Sequence, residues 1–89
     1  MSQLTEDQLA GMVTDIRAFL CDLVFMEEDE INNEEPLFSS GIVDSVSLIE
    51  LVGFVEKRVS IKVTPGQLTL DNWDSLDRIR DFIARSVAG

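Results

Sequence analysis

Leu37-Phe38-Ser39-Ser40-Gly41-Ile42-Val43-Asp44-Ser45-Val46 is the stretch from which the organisation of this chain can be worked out. Its last three residues stand where a long apolar-periodic segment begins. Asp44 suits a helix N-cap, because its carboxylate can accept hydrogen bonds from first-turn amides that have no partner inside the helix. Ser45 then falls in that first turn with its hydroxyl outward. A phosphate attached there would lie in the positive field of the helix N-terminus. Locally the pattern admits two readings, a plain cap and a serine that carries a phosphate-linked group.

Downstream, the spacing predicts a second helix over 45–59. Leu48, Leu51, Val52, Val55 and Val59 share one face, with Phe54 at its margin, and Val46, Ile49, Glu50 and Gly53 share another. The second face is expected to be a small apolar docking surface, unless Ile49 packs inward. Upstream, Thr5-Glu6-Asp7-Gln8 has the form of a capping box. Leu9, Met12, Val13, Ile16, Phe19, Leu20, Leu23 and Val24 follow at helical spacing, so a first helix is expected over about 6–26. Residues 27–43 then form a long connection of the kind that is often functional. Leu37 and Phe38, with Ile42 or Val43, should pin its second half to the core.

Thr64-Pro65-Gly66-Gln67 resembles a helix start with proline in the first turn. The room before Trp73 allows only a short third helix. Asp74 or Ser75 should cap a fourth helix carrying Leu76, Ile79, Phe82, Ile83 and Val87. Val59–Val63 alternates briefly, but no strand competes strongly. The expected fold class is all-α: a small four-helix bundle of three longer helices and a short third one.

Eighty-nine residues, 45% hydrophobic and 27% charged, suit one small folded domain, taken as 1–89. The start methionine and the lack of a linker at either end suggest a free-standing protein. The net charge of −10 speaks against nucleic-acid partners and favours partners with basic patches. The chain has no histidine and one cysteine, which excludes histidine acid–base chemistry, catalytic triads and Cys/His zinc sites. Cys21 lies in a helical pattern and is assigned to packing. The acidic run at 27–35 lacks the spacing and central glycine of an EF-hand loop, so no metal site is expected there. With no membrane-length apolar run and no signal-peptide pattern, the expectation is a cytoplasmic monomer without membrane insertion.

With these elements in place, the chain resembles the acyl and peptidyl carrier proteins. Residues 37–46, LFSSGIVDSV, resemble their long loop ending in a D-S-L-type triplet at the start of the second helix. Residues 50–63, ELVGFVEKRVSIKV, resemble that helix and its exit, and 70–83, LDNWDSLDRIRDFI, the passage from third to fourth helix. The resemblance implies a non-catalytic carrier with 4′-phosphopantetheine, taken from coenzyme A, on Ser45. The reactive thiol belongs to the cofactor, so no catalytic residues are needed. Asp44, Val46, Ile49, Glu50 and Gly53 are the implied partner-docking residues. The implied partners are a phosphopantetheinyl transferase, a cargo-loading enzyme of adenylating or acyltransferase type, and a downstream synthase or tailoring enzyme.

The chain departs from the family pattern in having Val46 where leucine is usual. Its second helix carries only Glu50 and Glu56 as acids, less than in fatty-acid carriers. Asp74-Ser75-Leu76 also spells the motif, without the long loop before it, and is taken as a cap. The expected role is to hold an acyl or aminoacyl thioester for polyketide or nonribosomal peptide assembly. A D-alanine or fatty-acid-type carrier, and an unmodified acidic interaction module, are the alternatives.

Overall fold

A computed structural model describes residues 4–88. Four α-helices follow in order: α1, Glu6–Val24; α2, Ser45–Val59; α3, Leu70–Trp73; and α4, Leu76–Ala88. Single 3-10 turns occupy Glu28–Glu30 and Pro65–Gln67. The expected proline-led start at Thr64 thus yields only a turn, and α3 begins five residues after Pro65.

α1 begins as its capping box dictates. Thr5 Oγ1 accepts from the Gln8 amide at 3.1 Å, and Gln8 Oε1 accepts from the Thr5 amide at 2.8 Å. It ends at Val24, two residues before the expected boundary, because Phe25 turns left-handed (φ 58°, ψ 45°) and its amide closes back on the Cys21 carbonyl. α1 packs on α2 and α4, and α3 packs on α4. Ile16, Leu20, Leu51, Val55, Trp73, Leu76, Ile79 and Ile83 fill the centre of the core. Phe19 and Phe54 stack at its margin with ring centroids 4.4 Å apart. That stack and the Arg58–Asp15 ion pair at 2.9 Å show that α1 and α2 run antiparallel. Cys21 is buried, and burial followed by the nearby Glu28 carboxylate pushes its thiol pKa up, which matches a packing role.

The long connection is tied down in two places. Ile31, the one apolar residue in the acidic run, is buried, as are Leu37 and Val43. The Asp77 amide donates to the Asn33 carbonyl at 3.0 Å, and Arg17 donates to the Asn33 side chain. The second half is fixed to the junction between α3 and α4: the Leu37 amide donates to the Asp74 carbonyl at 2.7 Å. Gly41 takes φ 87°, a left-handed conformation in which a β-carbon would be strained. This lets the Val43 amide return to the Leu37 carbonyl at 2.9 Å just before α2.

Candidate functional site

Asp44 is extended (φ −100°, ψ −177°) and its carboxylate accepts from the Ser47 amide at 2.9 Å, so it is the N-cap of α2. Hydrogen bonding from Ser47, amide first, holds the Asp44 carboxyl below its ordinary pKa. Ser45 is therefore the first helical residue. It is exposed, and its hydroxyl takes part in no hydrogen bond among the described residues. The first turn of α2 has no acidic residue, unlike the first turn of α1, which holds Glu6 and Asp7. Within α2 itself, the cap is thus the only carboxylate at the positive end. An anionic group on Ser45 would meet the first-turn amides and the positive end of the helix dipole. The site fits a phosphodiester linkage.

The face expected to dock partners lies beside it. Val46 and Ile49 are 68% and 72% exposed, large values for such side chains within a helix. Glu50 is exposed as well, and Gly53 is half-buried. A methyl group added to Gly53 would meet nothing within 4 Å, so internal packing does not demand glycine there. Gly53 and Glu50 border a shallow open groove between α1 and α2, whose floor is Phe19, Leu23 and Phe54. Of the expected inward face, Leu51 and Val55 are fully buried, Val59 is buried, and Leu48 and Val52 pack partly against the core.

Of the two residues expected to cap α4, Asp74 or Ser75, Asp74 is turned to another use. It does not cap α4. Its Oδ1 accepts from the Phe38 amide at 2.8 Å and the Ser39 amide at 3.0 Å, and its Oδ2 accepts from the Ser39 hydroxyl at 2.8 Å. One carboxylate thus grips the loop that leads to Ser45. Partial burial opposes ionisation of Asp74, but the hydrogen bonds from Ser39 and Phe38, helped by Arg78, outweigh it and lower its pKa. Ser75 caps α4 instead: its Oγ accepts from the Arg78 amide at 3.1 Å, and it is buried. Two adjacent capping residues before one helix leave one spare, and that surplus is the only trace of the clamp in the sequence.

An all-helical bundle that offers a free serine hydroxyl at a capped helix start, with an apolar strip beside it, has the architecture of a carrier protein. A family model described as "Phosphopantetheine attachment site" matches residues 14–83. The chain belongs to this family. It is a non-catalytic carrier that binds 4′-phosphopantetheine covalently, and such carriers engage a phosphopantetheinyl transferase and loading enzymes. Similar curated proteins include the D-alanyl carrier protein of Streptococcus sanguinis (strain SK36), 31% identical over 68 residues that cover 73% of this chain and 86% of the relative. The D-alanyl carrier proteins of Streptococcus gordonii and Streptococcus thermophilus are each 32% identical over 60 residues, covering 67% of this chain and 76% of theirs. No helix among the described residues is long and apolar enough to cross a membrane.

Proposed function

We propose that Ser45 is the attachment point and that the cargo is a small amino acid, with D-alanine the first candidate. The observation that carries the site is the exposed, unpartnered Ser45 hydroxyl on the acid-free first turn of α2. The bound cofactor supplies a thiol on a flexible arm, on which cargo is held as a thioester. The chain's own residues do the rest. Asp44 fixes where α2 begins and therefore where the Ser45 oxygen points. Asp74 holds Phe38 and Ser39 so that the preceding loop is set before a transferase arrives. Val46, Ile49, Glu50 and Gly53 form the surface that partner enzymes read.

Two observations favour an aminoacyl cargo over a long acyl chain. The relatives above are named as D-alanyl carriers. The bundle interior is filled by Trp73 and the aliphatic core, and the groove beside Gly53 is open to solvent, so a long chain would find little shelter. These relatives support the D-alanine alternative better than the expected polyketide or nonribosomal peptide assembly. Residues 1–89 act as one carrier domain in this reading, working as a monomer in the cytoplasm with an adenylating enzyme as the loading partner.

The test is the mass of the holo-protein after incubation with a D-alanine-activating adenylating enzyme and ATP, beside malonyl and long-chain acyl donors with their own transferases. A mass gain of one alanyl residue, removed by hydroxylamine, is expected. Charging by malonyl or fatty acyl groups alone would overturn the aminoacyl reading.

A further inference from the structure

Phe25 is the most exposed large hydrophobic side chain among the described residues, at 95%. It also closes α1 in the left-handed region, where glycine is at ease and a bulky L-residue is strained. Ser60 closes α2 in the same conformation but is small and polar. At Phe25 the ring therefore neither eases the backbone nor buries surface, and glycine in its place would favour the free fold. A residue that works against the free protein points to a contact made only in a complex.

Charge indicates what that complex is. No lysine or arginine occurs between Arg17 and Lys57. Asp22, Glu27, Glu28, Asp29 and Glu30 flank Phe25 and are all exposed. The antiparallel register set by Asp15–Arg58 and Phe19–Phe54 puts this end of α1 at the end of the bundle where α2 starts, the end that carries Ser45. Buried aromatic anchors contribute much of the energy of protein interfaces, and surrounding charges set partner choice and encounter rate.

We propose that Phe25 is a docking anchor for the enzyme that loads the carrier, entering an apolar pocket bordered by lysine or arginine. An anionic lipid surface or a second copy of this chain would set like charges against the acids around the ring, so neither fits. The proposal rests on the carrier reading and extends the docking surface beyond α2 to the end of α1.

The experiment uses holo wild-type protein and the Phe25→Gly and Phe25→Leu variants, with the adenylating loading enzyme as the probe. Isothermal titration gives Kd, thermal unfolding of the carrier alone gives Tm, and intact mass follows phosphopantetheine addition. Phe25→Gly should raise Tm by about 4 °C while raising Kd at least about tenfold, with phosphopantetheine addition unchanged. Phe25→Leu should bind more tightly than Phe25→Gly. An unchanged Kd overturns the anchor. So does a weaker Kd accompanied by a lower Tm, because Phe25 would then act through the fold. Wild-type binding to phosphatidylglycerol vesicles, or self-association that Phe25→Gly abolishes, also overturns it in favour of the other occupant. Wild-type protein that takes up no phosphopantetheine fails the carrier reading itself, and the anchor falls with it.

Discussion

Asp44-Ser45-Val46 opens α2 with the aspartate as cap, whereas Asp74-Ser75-Leu76 opens α4 with the serine as cap. That shift of one residue in capping register sends every side chain of the triplet to a different place. In the first triplet the serine hydroxyl is exposed and the third residue is 68% exposed. In the second, the serine is 6% and the leucine 1% exposed, and the aspartate, released from capping, reaches back to the long loop. A loop long enough to deliver Asp44 from outside the core precedes the first triplet. Only α3 precedes the second, and Trp73 is already buried beside it. Near-identical residues thus give an exposed serine, the proposed attachment point, in one place and a buried capping serine in the other, and the choice lies in the approach of the chain, not in the triplet.

The widest separation between the triplets should appear at their third positions. Leu76→Ala removes a fully buried side chain and should cost about 2–5 kcal/mol in urea unfolding. Val46→Ala, like Ile49→Ala, should stay within about 0.5 kcal/mol while slowing transfer by the loading enzyme. A large stability loss at Val46 or Ile49 would place that residue in the core and erase the proposed docking strip.

The aspartates give the next effect. Asp74→Ala leaves the Phe38 and Ser39 donors without their acceptor and should cost about 1.5–3 kcal/mol at neutral pH. The folded-state pKa of Asp74 lies below its ordinary value. Its stabilisation is therefore complete above the ordinary carboxylate pKa of about 3.9 and is lost as pH falls through the lower, folded value. The urea midpoints of wild type and Asp74→Ala should converge on acidification below that ordinary pKa. Asp44 titrates in the same direction in both proteins and cancels from the difference. A gap independent of pH would mean that the clamp does not depend on the charge.

The smallest effect should come from Glu50, beside Val46 and Ile49 on the exposed face. Glu50→Lys should slow loading at low ionic strength, and the deficit should shrink as salt screens the charge. Loading by wild-type protein that ignores salt would leave docking to the apolar contacts alone.

The helix register was legible in the sequence because it is a local property. The Asp44 cap, the periodic face of Leu51, Val55 and Val59, and the outward phase of Val46 and Ile49 all follow from residues within a few turns of one another. The early end of α1 was not legible, since nothing in Phe25 announces a left-handed residue where glycine or asparagine would be usual. Burial of Ile31 is hidden in the sequence, because a single apolar residue among acids carries no periodic signal. The Asp74 clamp was out of reach for a different reason: its partners Phe38 and Ser39 lie 36 and 35 residues away, and no local pattern encodes such a contact.

The comparison of the two triplets is tested most directly by locating the modification. Wild-type protein, Ser45→Ala and Ser75→Ala are incubated with coenzyme A and a broad-specificity phosphopantetheinyl transferase, then digested and mapped by mass spectrometry. One phosphopantetheine should appear on the peptide containing Ser45 in wild type and in Ser75→Ala, with none on any peptide of Ser45→Ala. Phosphopantetheine on Ser75, or on any residue of Ser45→Ala, would contradict the account.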